Sequence, residues 1–223
     1  METSFFPGIL LISYCIGSIP FGLIFVRLIS GKDIRKVESG RTGGTNAVRA
    51  AGYGAGLATA VMDVLKGAFS VWLARWLAPG YTWLQVLAPM AAILGHNYSV
   101  FLLERGEDGR LHFRGGAGGA TCIGGAIGLW PPSILIIVPL AGAIWYGVGY
   151  ASVTTISAAL IAGIIFAIRA AQGYSPWLYV FYGVLAEVVL VWALRPNIQR
   201  LIQGKERLIG WRARHKKTAS RGI

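Results

Sequence analysis

The chain has 223 residues, of which 55% are hydrophobic and 13% charged, with a formal net charge of +12. Soluble domains carry about twice that charged fraction, and the apolar residues here form long runs, which excludes a soluble globular fold and leaves no room for a separate soluble domain. In such a chain the basic excess reports membrane topology, so nucleic acid is not expected as a partner.

About 20 residues at ~1.5 Å each cross the ~30 Å hydrocarbon layer. Seven runs predict an all-α polytopic membrane protein: 5–29, 54–78, 82–103, 117–130, 133–149, 151–169 and 176–194. The first run has no basic n-region and no small-residue cleavage site, so a retained helix is expected. Pro131-Pro132 separates the fourth run from the fifth. Gly118, Gly119, Gly124, Gly125 and Gly128 make the fourth run a close-packing helix. Cys15 and Cys122 lie within apolar runs, away from any other candidate ligand, and read as packing residues; no metal site is expected.

Basic residues set the orientation. Arg27, Lys32, Arg35, Lys36, Arg41 and Arg49 belong to the first connection, and Arg105, Arg110 and Arg114 to the third. Nine more run from Arg195 to Arg221 against a single acid, Glu206. Positive-inside bias therefore places the N-terminus outside and the C-terminus in the cytoplasm. The expected organisation is one transmembrane domain over 1–223 with a basic cytoplasmic tail at 195–223. Trp211, Arg212 and Arg214 suit that tail to anionic headgroups.

This topology brings three polar segments to one face. Residues 38–49 combine Ser39, Thr45, Asn46, Arg41 and Arg49 with glycines at 40, 43 and 44. Glycines admit close backbone approach, and arginine grips phosphate with a planar fork. If the next helix begins here, Thr45 or Asn46 is its expected N-cap, aiming free N–H groups at an anion. The second segment carries Gly95-His96-Asn97-Tyr98 and then Arg114 to Thr121, another glycine-rich helix entry. His96 there reads equally as a general base or as a partner of a loop carbonyl. The third segment is 195–200. Asp63 and Lys66 stand three apart and can pair on one helix face, as a brace or as a functional pair. Glu187 lacks an obvious partner. Transport would call for charges lining a path and for internal repeats; only these three intramembrane charges and no convincing repeat are present.

Gly17-Ser18-Ile19-Pro20-Phe21-Gly22, Gly31 to Arg35, Ser39-Gly40 with Gly43 to Arg49, Met62 to Gly67, Gly95 to Phe101, Gly115-Gly116 and Asn197 to Leu201 together resemble the bacterial acyl-phosphate:glycerol-3-phosphate acyltransferase family, PlsY. The resemblance covers nearly the whole chain in one order. It implies an inner-membrane enzyme of phospholipid biosynthesis that moves an acyl group from acyl phosphate to glycerol 3-phosphate without metal or other cofactor. Among membrane lipids it would yield 1-acyl-glycerol 3-phosphate (lysophosphatidic acid) and phosphate, from an active site on the cytoplasmic face. By position, Ser39, Thr45, Asn46, Arg49, His96 and Asn197 take catalytic roles. Arg35, Arg41, Gly43, Gly44, Arg114, Gly115, Gly116, Gly118, Arg200 and Glu206 take substrate-binding roles. The chain departs from the family pattern at Ala117 (usually lysine), Arg41 (asparagine), Leu194 (histidine) and Gly149 (serine). The expected compensation is that Arg41, with Arg114, supplies the cation that Ala117 cannot. The competing readings are a non-catalytic or altered-substrate relative that binds phospholipid or phosphate, and a small-solute or lipid transporter.

Overall fold

The structure is a computed structural model and describes residues 5–106 and 109–213. Nine helices are present among them: α1 (Phe6–Ser18), α2 (Phe21–Ser30), α3 (Gly44–Leu77), α4 (Thr82–Asn97), α5 (Gly119–Leu129), α6 (Ile134–Gly147), α7 (Ala151–Ala171), α8 (Leu178–Ala193) and α9 (Arg195–Ile202). The only sheet among the described residues is a hairpin in which β1 (Leu103–Arg105) pairs antiparallel with β2 (Leu111–Phe113).

Each of the seven predicted runs contains a helix, but their lengths differ from the expectation. α1 and α2, broken at Ile19-Pro20, read as one apolar span over Phe6–Ser30, and α3 and α7 are also long and apolar enough to cross a bilayer. With 11 and 14 residues, α5 and α6 reach only about 16 and 21 Å. The helix of the third run, α4, stops at Asn97, not near 103, because the hairpin takes over. α3 starts ten residues earlier than expected and turns at Gly52, whose φ of 86° is left-handed backbone that favours glycine. Neither Thr45 nor Asn46 caps it: the N-cap is Gly43, with no side-chain bond.

The helix faces invert the soluble pattern. Leu28, Trp76, Leu135 and Leu57 are largely exposed, while the interfaces are built from small residues, as in membrane bundles. Gly67 on α3 faces the Thr121 carbonyl of α5, and Gly124 on α5 faces the Val64 carbonyl of α3; a Cβ at either would collide with that backbone. Gly17 meets Ala92 in the same way where α1 lies on α4. Beneath these contacts a core cluster spreads over α4, α5, α7 and α8, with Tyr182 and Phe166 fully buried. Tyr182 Oη donates to the Cys122 carbonyl at 2.6 Å. Cys122 itself is buried and both cysteines are free.

Candidate active site

α5 packs on the middle of α3, and the break at Gly52 folds the start of α3 back against Gly56 and Ala60, so that both helix starts face one space. α3 begins after Gly43 and α5 after Gly118, and neither first turn has a side-chain cap. Gly118 opens α5 with a φ of 85°, a left-handed turn that aims the first N–H groups inward. Such groups have no partner within the helix and concentrate roughly half a positive charge at each N-terminus. Both ends line one cavity of about 590 Å³, with Gly43, Gly44 and Thr45 on one side and Gly118, Gly119 and Ala120 on the other.

The same cavity gathers most of the predicted site residues: Ser39, Arg41, Gly43, Gly44, Thr45, Asn46, Arg49, His96, Gly118, Asn197, Arg200 and Glu206. Arg114, Gly115 and Gly116 line an adjoining polar recess of about 230 Å³ that shares Ser39 and Arg41 with the larger cavity. Arg35 joins neither. It pairs with Asp33 at 2.6 Å and with Glu104 at 2.5 Å, and Glu104 also holds Arg114 at 2.6 Å. The Arg35 guanidinium draws the Asp33 carboxyl down to about 2. This cluster clamps the hairpin to the first loop. Thr42 N–H donates to the Gly115 carbonyl in support.

Arg41 stands where the polar segments meet. It donates to the Ala193 carbonyl at 2.7 Å and to the Gly116 carbonyl at 3.4 Å. Burial, and then the like charge of Arg200, lowers its pKa from the ordinary arginine value, with Glu206 pulling the other way. Among the described residues no carboxylate pairs with Arg41, Arg49 or Arg200. Glu206 instead accepts from Asn197 Nδ2 at 2.9 Å. Three arginines and two helix N-termini against Glu206, with Asp63 paired to Lys66, give the cavity a net positive lining, the chemistry that suits an anion.

Asn46 is occupied differently. Its amide donates to the carbonyls of Ile34, Val37 and Arg41 at 3.2, 3.0 and 2.9 Å, which folds the first loop over the cavity. At the floor lie Asp63, Lys66 and His96, all buried. Asp63 and Lys66 pair at 2.9 Å, as their three-residue spacing allows. Lys66 Nζ also lies 2.7 Å from His96 Nδ1 and donates to the Ile19 carbonyl at 3.2 Å.

Several cavity residues escaped the sequence reading. Gly149, the position of the missing serine, is a left-handed turn that does not line the cavity. Ser152, three residues on in the first turn of α7, does line it; its Oγ is buried with no partner. The signal available was its place at the interfacial end of a predicted helix. Leu194 occupies the position of the missing histidine and is a buried apolar wall. Tyr53, Leu57 and Ala60 from α3 and Trp145 from α6 form an apolar wing. The tail, expected to serve as a lipid anchor, folds back as far as residue 213. Arg207 lines the cavity and pairs with Glu38 at 3.1 Å, and Ile209 N–H donates to the Gly149 carbonyl. Arg212 sits over the Tyr150 ring. Glu107, Asp108 and the tail from Arg214 onward lie outside the described residues. No group of three or more metal-ligating side chains occurs among the described residues.

Comparison with known proteins agrees with this geometry. The family model described as glycerol-3-phosphate acyltransferase matches residues 8–204. A glycerol-3-phosphate acyltransferase of Gloeobacter violaceus is 37% identical over 213 residues, covering 93% of this chain and 97% of that protein. Among solved structures, PlsY (YgiH), an integral membrane glycerol 3-phosphate acyltransferase, aligns in its glycerol 3-phosphate form with a TM-score of 0.76 at 29% identity, over 92% of this chain and 96% of that one. Its lysophosphatidic acid form aligns with a TM-score of 0.73 at 27% identity, over 92% and 95%. A multi-pass helical membrane chain, matched over nearly its whole length, with a cationic cavity lined by residues of the matched region, belongs to the PlsY-type glycerol-3-phosphate acyltransferase family.

Proposed function

We propose that this chain transfers the acyl group of an acyl phosphate to glycerol 3-phosphate, forming 1-acyl-glycerol 3-phosphate (lysophosphatidic acid) and inorganic phosphate in phospholipid biosynthesis. The observation that carries this reading is the two-sided cavity. One side is cationic, with the α3 and α5 N-termini and Arg41, Arg49 and Arg200; the other is apolar, with Tyr53, Leu57 and Trp145. Tyr53 and Leu57 are two-thirds exposed at the rim, so an acyl tail lies between α3 and α6 with its end in surrounding lipid. The cationic side takes the two phosphate groups.

The glycerol hydroxyl oxygen attacks the acyl carbonyl carbon. The carbon–oxygen bond to phosphate breaks as the ester bond forms, and phosphate leaves with the bonding pair. An oxygen of that phosphate takes the hydroxyl proton, so the reaction needs no strong protein base. Fixed cations and N–H donors hold the reactants in line and stabilise the oxyanion. Arg49, Arg200 and Thr45 bind phosphate, Arg41 supplies the cation that Ala117 does not, and Asn46 positions the loop. Arg114, beside Glu104, contributes little net charge. Arg35 holds the hairpin and does not bind substrate. Ser39 and Asn197 orient the acceptor, and Asn197 also fixes Glu206. Seven crossings, with the N-terminus outside and the cavity at the cytoplasmic side of the inner membrane, follow from the positive-inside bias.

Purified protein in nanodiscs, given palmitoyl phosphate and isotope-labelled glycerol 3-phosphate, yields labelled lysophosphatidic acid by mass spectrometry, and palmitoyl-CoA as donor yields none. Equal product from both donors would contradict the assignment of acyl phosphate.

A further inference from the structure

We infer that His96 serves this reaction as a hydrogen-bond donor through Nε2–H, not as a base, and that Lys66 and Asp63 are positioning residues that hold the imidazole in that form. The inference rests on the acyl-transfer reading above and assigns a role within the same cavity.

The geometry constrains where the protons sit. Lys66 Nζ has three neighbours: Asp63 Oδ1 at 2.9 Å, the Ile19 carbonyl at 3.2 Å and His96 Nδ1 at 2.7 Å. An ammonium has three donors and no acceptor, which satisfies all three when Nδ1 is an acceptor. A neutral imidazole with an accepting Nδ1 carries its proton on Nε2. The Asp63 carboxyl, by far the weakest base of the three, stays ionised. The other charge-balanced arrangement then moves one proton from Lys66 to Nδ1, which lies 3.5 Å from Asp63 Oδ1, and imidazolium also bears a proton on Nε2. Neutral Lys66 with neutral His96 would leave the Asp63 carboxylate buried without a countercharge, which is costly. Nε2 is therefore a donor in both balanced states, and the amine, as the stronger base, favours the first.

Nε2 is also placed for use. His96 lines the large cavity, and among the described residues no acceptor meets Nε2. A Cβ on Gly116 would collide with this nitrogen, so any side chain at 116 would displace the ring or cover Nε2. The charged groups facing the ring are Asp63 and Lys66 from α3 and Arg41 from the first loop. With these around it, a donor aimed at a substrate oxygen that gains negative charge stabilises acyl transfer, and no lone pair at Nε2 is available to accept the glycerol proton.

Two readouts test the role. In ¹⁵N-histidine spectra of the full-length protein in nanodiscs, the signal lost in His96→Gln should show unprotonated Nδ1 and protonated Nε2 at neutral pH. In kinetics, His96→Gln keeps an amide N–H within reach of the same place and should stay within about tenfold of the parent in kcat. His96→Asn is too short and should lose about 10²- to 10³-fold, the loss typical of a removed oxyanion donor, with the KM for glycerol 3-phosphate little changed. The paired variant Asp63→Asn/Lys66→Met removes both buried charges at once and frees Nδ1. It should add a mixed-tautomer signal and a pH dependence of kcat over about pH 5–8 that the parent lacks. An unprotonated Nε2 in the parent, or a His96→Gln protein as inactive as His96→Asn, would overturn the inference. If the parent makes no lysophosphatidic acid, the acyl-transfer reading fails separately, because the tautomer is read without turnover.

Discussion

Arg41→Asn tests the anion site at its most exacting point. The guanidinium is half-buried between the two recesses, is tied to two carbonyls and forms no ion pair among the described residues, Glu206 being the carboxylate that acts on it from a distance. A unit charge about 5 Å from a phosphate, at the effective dielectric near 20 that suits partly buried pairs, is worth about 3 kcal/mol. Loss of that interaction in the transition state lowers kcat/KM by on the order of 10²-fold. The assay is phosphate release from palmitoyl phosphate, with glycerol 3-phosphate varied, using nanodisc protein whose Tm is measured in parallel. Arg41 also bridges the Gly116 and Ala193 carbonyls, so the variant alone does not separate charge from scaffold. Ala117 lines the same cavity, and Arg41→Asn/Ala117→Lys returns a cation without restoring the bridges. The double variant should recover at least about tenfold over the single. An Arg41→Asn protein within about threefold of the parent would refute the charge argument, as would a stable double variant no more active than the single.

Other consequences are as concrete. Arg49→Gln should cost about 10²-fold in kcat/KM, whereas Arg35→Gln should cost less than about twofold, because Arg35 pairs with Asp33 and Glu104 outside the cavity; steady-state kinetics separates them. Ser152→Ala removes the unpartnered hydroxyl at the cavity wall and should lower kcat/KM about tenfold with little change in Tm if that hydroxyl meets substrate. Gly67→Ala drives a methyl into the Thr121 carbonyl; parting α3 from α5 should cost about 1–3 kcal/mol, seen as a lower Tm in detergent. Asp33 has a folded pKa lowered to about 2 from 3.8. Its stabilisation is therefore complete above the unfolded value and lost as pH falls through about 2. Corrected for the intrinsic pH dependence of exchange, protection of residues 31–37 should be higher at about pH 5 than at about pH 3, an effect absent in Asp33→Asn.

The sequence carried more of the site than of the helix boundaries. Each apolar run holds a helix because burial in lipid leaves the backbone few other solutions. The cluster at 38–49 and the glycines at 115, 116 and 118 were legible because phosphate chemistry draws on few residue types. Helix ends were less so: hydropathy places the start of α3 near 54, yet helix continues back to Gly44 through polar residues that line a cavity instead of meeting water or lipid. Arg35 looked like its neighbours Arg41 and Arg49, and only tertiary placement beside Glu104 separates it from them. Ser152 and Arg207 were hidden for the opposite reason. One belongs to an apolar run and the other to a basic tail, and each reaches the cavity through the turn at Gly149 and the return of residues 204–212 over it. Asp63 and Lys66 were visible as a pair, but the contact with His96 thirty residues away was not, since spacing says nothing of which helices meet.

The most direct measurement is phosphate release by the purified protein from palmitoyl phosphate, with and without glycerol 3-phosphate. The account predicts release only with the acceptor present, with one phosphate formed for each lysophosphatidic acid. Release that ignores the acceptor, or none while an active relative works alongside, would contradict it.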